Sequence, residues 1–113
     1  TIKIIKNKLD DINDSYFSVV LFGSSVYKKG KDIDLLVIIP NSAEPDTFRN
    51  TIRKGLGSFY SKVDLNIVNE LSCYEMLNHP NQTNVMNEIM KNHLVLIGTE
   101  SFYRILRRWK NAA

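Results

Sequence analysis

The stretch VVLFGSSVYKKGKDIDLLVII, residues 19–39, decides the fold of this chain. It contains most of one apolar, β-branched run, FSVVLF (17–22), and all of a second, DIDLLVII (32–39), with a Gly-Ser pair and several lysines between them. Short runs that are apolar at consecutive positions are typical of strands buried on both faces. Both runs therefore predict core strands, and Asp32 and Asp34 are conspicuous because they open a strand of that kind.

Two more strands are predicted further along the chain. The run KVDLNIV (62–68) alternates, with Val63, Leu65 and Ile67 on one face and polar residues on the other. This alternation predicts a strand with one polar face. The run HLVLIG (93–98) predicts a short fourth strand.

Helices are predicted between these strands and at both ends. Ser72 and Glu75 have the spacing of a capping box, so we expect a helix to begin at Ser72. The order of elements predicts an α/β (α+β) fold, a small mixed β-sheet with helices packed on it, in one domain spanning residues 1–113. Helical stripes with apolar residues at steps of three and four are Ile2, Ile5, Leu9, Ile12 and Tyr16; Phe48, Ile52, Leu56 and Phe59; Val85, Met86, Ile89 and Met90; and Phe102, Ile105, Leu106 and Trp109.

Composition narrows the classes of function. The net charge is +3 with a pI of about 9.0, a mild excess that suits an anionic ligand and does not by itself indicate nucleic acid. Cys73 is the only cysteine, which excludes an intrachain disulfide and favours a reducing compartment. No apolar run has the length of a membrane span, and the charged N-terminal sequence is unlike a secretory signal, so we expect a cytoplasmic protein.

Three carboxylates form a candidate metal site. Asp32 and Asp34 are two residues apart in a predicted strand, so they share a face at a spacing of about 6.6 Å and repel each other. Mg²⁺ removes such repulsion, because it binds one or two carboxylates together with phosphate oxygens and water. Asp64 lies on the polar face of another strand and supplies a third carboxylate if that strand lies beside 32–39.

Gly23 and Ser24 form a candidate phosphate site. A glycine that ends a strand and opens a helical turn exposes backbone N–H groups, and it lets a phosphate approach without meeting a Cβ. The Ser24 hydroxyl is a further donor, and Lys28, Lys29 and Lys31 add positive charge nearby. A metal beside a polyphosphate is the apparatus of phosphoryl or nucleotidyl transfer, in which a carboxylate can deprotonate the attacking hydroxyl.

The segment FGSSVYKKGKDIDLLV resembles the DNA polymerase beta-like nucleotidyltransferase superfamily, in which a Gly-Ser pair is followed by Asp-x-Asp in an apolar strand. The strand VDLNIV matches the third element of that pattern, and the order of elements is similar to the minimal nucleotidyltransferase (MNT) domain. The resemblance implies that Gly23 and Ser24 contact the triphosphate and that Asp32 and Asp34 bind magnesium. It implies Asp64 as the third metal ligand and the base for the acceptor hydroxyl.

The resemblance also implies a substrate and a partner. Minimal domains of this kind are often paired with HEPN proteins in toxin–antitoxin modules. The expected reaction therefore moves a nucleoside monophosphate to a hydroxyl, most simply a tyrosine on a HEPN-type partner. The expected donor is MgATP, which gives AMP, or another nucleoside triphosphate. Because one small domain forms only one wall of a cleft, a partner or a second copy is expected to complete it. Many members carry an arginine soon after Gly-Ser, whereas this chain has Ser25, Val26 and Tyr27.

Other interpretations of the sequence stay open. The protein could neutralise a toxin by contact alone as a catalytically silent nucleotide-binding partner, or transfer nucleotides to small molecules such as aminoglycosides, although those enzymes usually carry an extra helical domain. A template-dependent polymerase is excluded because nothing in the chain grips a duplex. Asp64 could be an ordinary solvent-facing strand residue, the three lysines a solvated loop, and His79 and His93 structural or surface residues.

Overall fold

A computed structural model of the chain describes residues 2–9, 17–23 and 32–112. Five helices and four strands lie in these ranges, with a 3₁₀-helical segment at Gly57–Lys62. The helices are α1 (Ile2–Leu9), α2 (Pro45–Leu56), α3 (Glu70–Leu77), α4 (Val85–Lys91) and α5 (Thr99–Asn111), and the strands are β1 (Ser18–Phe22), β2 (Ile33–Ile39), β3 (Val63–Asn69) and β4 (His93–Ile97).

The four strands form one mixed sheet in the order β3-β2-β1-β4. β1 is antiparallel to both β2 and β4, whereas β2 and β3 run parallel. The central strands β1 and β2 are buried along almost their whole length, as their continuous apolar runs predict. The predicted small mixed sheet with helices packed on it is confirmed.

Helices cover both faces of the sheet. One apolar cluster joins α1 and α2 to the sheet through Ile5, Leu9, Ile52 and Leu56. On the other face, α3, α4 and α5 pack against the sheet through buried residues that include Cys73, Leu77, Met86, Ile89, Phe102 and Ile105. The molecule is thus a three-layer sandwich in which the sheet supplies the residues of both cores.

The alternation predicted for β3 is confirmed. Val63, Leu65 and Ile67 pack against the cluster beneath α1 and α2, so Asp64 and Asn66 face the side that carries α3, α4 and α5. β3 lies at one end of the strand order, and its residues are exposed or partly buried rather than fully buried. This position explains why β3 alternates whereas β1 and β2 do not.

Two helix boundaries differ from the sequence predictions. α3 begins at Glu70, and its N-cap is Asn69, whose side-chain oxygen accepts a hydrogen bond from the Ser72 backbone N–H at 2.8 Å. The predicted capping box at Ser72 and Glu75 is therefore wrong, because an asparagine three residues upstream provides the same cap. The stripe expected to reach Phe59 ends as a helix at Leu56, because Gly57 adopts a φ of 59°.

Other predictions fall outside the described residues. The first helix was expected to extend to Ile12 and Tyr16, and the structure describes it only as far as Leu9. The helical turn expected after Gly23 also lies outside the described ranges. Among the helices within those ranges, none combines the length and the apolar character that crossing a bilayer requires.

Candidate active site

One edge of the sheet brings together the starts of three strands and the end of the fourth. β2 and β3 are parallel and begin at this edge, β1 ends there, and β4 begins there. In this register Asp34 pairs with Asp64 on one side and with Phe22 on the other, and Phe22 pairs in turn with His93. Residues that are directly paired share a face of the sheet, so Asp64, Asp34, Phe22 and His93 form one row, the edge row.

Asp34 and Asp64 are direct neighbours in the edge row. Adjacent strands lie about 4.8 Å apart, so the two side chains start from neighbouring backbones and point to the same face. Asp34 is half-buried and Asp64 is exposed. A third carboxylate at the predicted metal site requires the strand of Asp64 to lie beside 32–39, and the parallel pairing of β2 with β3 meets that requirement.

The charge of Asp34 is disfavoured in the folded protein. Burial raises the pKa of this carboxyl above its ordinary value of 3.8, and the neighbouring negative charges of Asp64 and Asp32 raise the pKa further. Both causes act against the ionised form, the first by removing water and the second by repulsion. A cation bound between these carboxylates would offset both effects.

Gly23 lies directly against Asp34. The backbone of Gly23 has a φ of +68°, and a Cβ built on it would lie 2.8 Å from Asp34 Oδ2. A side chain at this position would therefore combine an unfavourable backbone conformation with a steric clash. The absence of a Cβ lets the half-buried carboxylate of Asp34 lie directly against the backbone at the end of β1.

The carboxylates of the edge row fit a magnesium ion as a pair. Asp34 and Asp64 offer carboxylate oxygens from two adjacent strands, which are hard ligands of the kind that Mg²⁺ binds together with water and substrate phosphates. Within residues 2–9, 17–23 and 32–112, however, no group of three or more His, Cys, Asp or Glu side chains is arranged to hold a metal. Asp32 is exposed at a bend before β2, and its role as a ligand stays a prediction.

Comparison of the sequence with models of known families assigns the chain to a family. A family model for the nucleotidyltransferase domain matches residues 2–95, a range that contains the whole edge row. The chain belongs to the nucleotidyltransferase domain family. The resemblance stated from the Gly-Ser pair and the Asp-x-Asp strand is thereby confirmed, and transferase chemistry on a nucleotide is the activity typical of this family.

A solved structure shares the fold of this nucleotidyltransferase domain. The MNT antitoxin in its complex with tri-AMPylated HEPN toxin from Shewanella oneidensis superimposes with a TM-score of 0.51 and 18% sequence identity, covering 99% of this chain and 89% of that chain. At this level of identity the similarity concerns the fold. No curated protein is similar enough in sequence to count as a relative.

Several predicted site residues of the nucleotidyltransferase domain lie outside the described ranges. These residues are Ser24 and the three lysines, Lys28, Lys29 and Lys31. Their predicted contacts with a triphosphate stay predictions. The structure does place Gly23, the residue before Ser24, against Asp34, so the connection that carries the serine starts at the edge row.

His93 is a member of the edge row that the sequence did not indicate as part of a site. The residue was interpreted as structural or surface, and the structure does give it structural contacts: its Nδ1 lies 2.8 Å from the carbonyl oxygen of Ile89, and its ring packs on Phe102. Its position became visible only when the pairing of β4 with β1 was known.

A cavity of about 380 Å³ lies apart from the carboxylates. Its lining comes from α3, α5 and the residues that follow them, and no aspartate of the site contributes to it. We therefore do not assign this cavity to the nucleotide. The lining residues are Tyr74, Asn78, Arg108, Trp109 and Ala112.

Proposed function

We propose that this protein is a Mg²⁺-dependent nucleotidyltransferase that moves AMP from ATP to a tyrosine hydroxyl on a HEPN-type partner and so acts as an antitoxin in the cytoplasm. The observation that carries the proposal is the pairing of Asp34 with Asp64 beside Gly23. A half-buried carboxylate and an exposed carboxylate at one edge, beside the glycine that ends β1, suit a metal ion and a phosphate chain held side by side. The membership of the nucleotidyltransferase family supports the reaction class.

The chemistry divides between the residues of the edge row. Asp34, whose pKa is raised, would bind the cation, and a bound cation would supply the positive charge that neutralises this carboxylate beside Gly23. Asp64 is exposed, so an acceptor hydroxyl can reach it, and it accepts the proton of that hydroxyl. Bound Mg²⁺ would supply charge neutralisation for the phosphate oxygens.

The proposed transfer needs no reactant other than ATP and the acceptor hydroxyl. The acceptor oxygen forms a bond to the α-phosphorus, and the bond from that phosphorus to the oxygen bridging to the β-phosphate breaks. Pyrophosphate leaves, and the proton of the hydroxyl passes to Asp64. The protein contributes position and charge rather than a covalent intermediate.

The partner is proposed from the fold relationship. The neighbouring structure is a complex of an MNT antitoxin with an AMPylated HEPN toxin, and a domain of this size forms one wall of a cleft. We therefore propose that a HEPN-type protein carries the acceptor tyrosine and completes the site. The alternative, neutralisation by contact alone, predicts a complex without transfer of AMP.

A labelling experiment separates these alternatives. The purified protein is incubated with Mg²⁺, a candidate HEPN-type partner and ATP labelled at either the α- or the γ-phosphate. Nucleotidyl transfer places label on the partner from α-labelled ATP and none from γ-labelled ATP. Asp34→Asn should remove the label, whereas Asp46→Asn, which changes an exposed aspartate in the first turn of α2, should leave it unchanged. Full labelling by Asp34→Asn, or toxin neutralisation by wild-type protein without any label, would refute the proposed reaction.

A further inference from the structure

His93 lies in the same row as the carboxylates. It begins β4 and pairs with Phe22, which itself pairs with Asp34. Asp34 and His93 are two strands apart, so their backbones are separated by roughly 10 Å. The row is thus acidic on β2 and β3 and aromatic on β1 and β4.

The hydrogen bond of His93 fixes which ring nitrogen can accept a hydrogen bond from a ligand. Nδ1 lies 2.8 Å from the carbonyl oxygen of Ile89, and because a carbonyl oxygen only accepts, Nδ1 is the nitrogen that carries hydrogen in the neutral ring. Nε2 is then the acceptor. The Tyr103 hydroxyl lies 3.5 Å from Nε2, at the outer limit of hydrogen-bonding distance, so a better donor can take its place.

Two aromatic rings of α5 lie beside His93. Its ring centroid lies 5.2 Å from that of Phe102 and 6.4 Å from that of Tyr103, and the Phe102 and Tyr103 rings are themselves 5.2 Å apart. Phe102 is fully buried, whereas Tyr103 is 40% exposed. The buried ring anchors the group, and the exposed ring offers a surface to a planar ligand.

We propose that Tyr103 and His93 hold the base of the donor nucleotide, with Tyr103 stacking on it and His93 Nε2 accepting a hydrogen bond from its amino group. This inference rests on the proposed function, since it requires the triphosphate to lie at Gly23 and Asp34. A nucleotide is anionic at one end and planar at the other. A cation held by the acidic end of the edge row would attract the phosphates, and the aromatic end suits the planar base. A nucleotide whose phosphates lie at Asp34 is long enough to reach the ring of His93.

The interaction with Nε2 specifies a class of base. Adenine, cytosine and guanine carry an exocyclic amino group that donates to an unprotonated nitrogen, whereas hypoxanthine has none and has a carbonyl oxygen where adenine has its amino group. If the carbonyl oxygen of hypoxanthine faced Nε2, two hydrogen-bond acceptors would face each other with no hydrogen between them, which is unfavourable. The site is therefore expected to bind ATP more tightly than ITP.

Binding measurements with three ligands test the inference. Titration of the wild-type protein with ATP, ITP and inorganic tripolyphosphate, each with Mg²⁺, separates contacts to the base from contacts to the phosphates. Tyr103→Ala should lower the affinity for ATP and for ITP roughly tenfold, which is the effect of losing one stacked base. Its affinity for tripolyphosphate should be unchanged. Tyr103→Phe keeps the ring and should retain most of the affinity for ATP.

His93→Phe keeps an aromatic ring and removes the acceptor nitrogen. This variant should lose the preference for ATP over ITP while its affinity for tripolyphosphate stays at the wild-type value. Leu94→Ala is the matched control, because Leu94 is the next residue of β4, is 40% exposed and faces the opposite side of the sheet. It should bind all three ligands as the wild type does.

The possible outcomes distinguish this inference from the proposed function. The inference would be overturned if Tyr103→Ala kept its affinity for ATP, or if it lost affinity for tripolyphosphate as much as for ATP. Either result would leave the transferase proposal intact. Retention of the ATP preference by His93→Phe would overturn the role of Nε2. If wild-type protein bound neither ATP nor tripolyphosphate, or if Asp34→Asn bound both normally, the proposed function itself would fail.

Discussion

Replacing Asp34 with asparagine should make the protein more stable while removing its proposed activity. Asparagine has nearly the same shape and keeps one acceptor oxygen, so the substitution mainly deletes a charge. That charge is disfavoured by burial and by repulsion from Asp64 and Asp32, the same causes that raise the pKa of Asp34. The variant therefore lacks an unfavourable contribution to the free energy of folding that the wild-type protein has.

The magnitude follows from the register of β2 and β3. Directly paired residues on neighbouring strands place the carboxylates of Asp34 and Asp64 about 5 Å apart, where two like charges in water repel by roughly 1 kcal/mol. Because Asp64 is exposed, the value for water is the appropriate one. A gain of about 1 kcal/mol corresponds to a rise of roughly 4 °C in the melting temperature of a domain of this size.

The assay is thermal unfolding at low ionic strength without divalent cations. The pKa of Asp34 is raised in the folded state, so the loss of stability caused by its charge is complete above that raised pKa. This loss disappears as the pH falls towards the ordinary value of 3.8. The advantage of Asp34→Asn should therefore be largest near neutral pH and shrink on acidification. Added Mg²⁺ should raise the melting temperature of the wild type more than that of the variant.

The control is Asp46→Asn, an identical chemical change at an exposed position in the first turn of α2. A negative charge there interacts favourably with the helix N-terminus, so its loss should not stabilise the protein. A melting temperature of Asp34→Asn at or below that of the wild type, measured near neutral pH, would contradict the repulsion argument.

Three further predictions concern other parts of the fold. Gly23→Ala should lower the free energy of unfolding in urea by at least about 1 kcal/mol, because it combines a φ of +68° with a clash against the neighbouring carboxylate; no loss would contradict the described backbone. Asn69→Ala should lower the free energy of unfolding in urea by about 1 kcal/mol, because the variant loses the cap of α3. Asn81→Ala, at an exposed loop position, should change that free energy little. Cys73 is fully buried, and burial together with Glu70 raises the pKa of its thiol to about 12. A disulfide reagent at pH 8 should therefore label Cys73 only at the rate of unfolding, and rapid labelling of the native protein would contradict this.

The sequence predicted the strands well because their patterns have direct physical causes. Continuous apolar runs indicated β1 and β2, which are buried on both faces, and strict alternation indicated β3, which has one polar face. The cap of α3 was misplaced because Asn69 and Ser72 have the same capping chemistry, and only the backbone geometry distinguishes them.

The composition of the site could be predicted only in part. The Asp-x-Asp strand and the polar face of β3 indicated which carboxylates were candidates, but periodicity does not reveal which strands are neighbours. The pairing of β4 with β1 places His93 in the edge row, and no local pattern around HLVLIG contains that information. The residues around His93 therefore required the structure.

The in-register parallel pairing of β2 with β3 makes assembly of the carboxylate pair an all-or-none event. Sliding β3 by a single residue would turn Asp64 to the opposite side of the sheet and bring Val63 or Leu65 opposite Asp34. The chain between these strands tolerates changes in length, since loop closure depends weakly on the number of residues. An insertion inside either strand would instead separate the two carboxylates proposed to bind the metal, even in a protein that still folds.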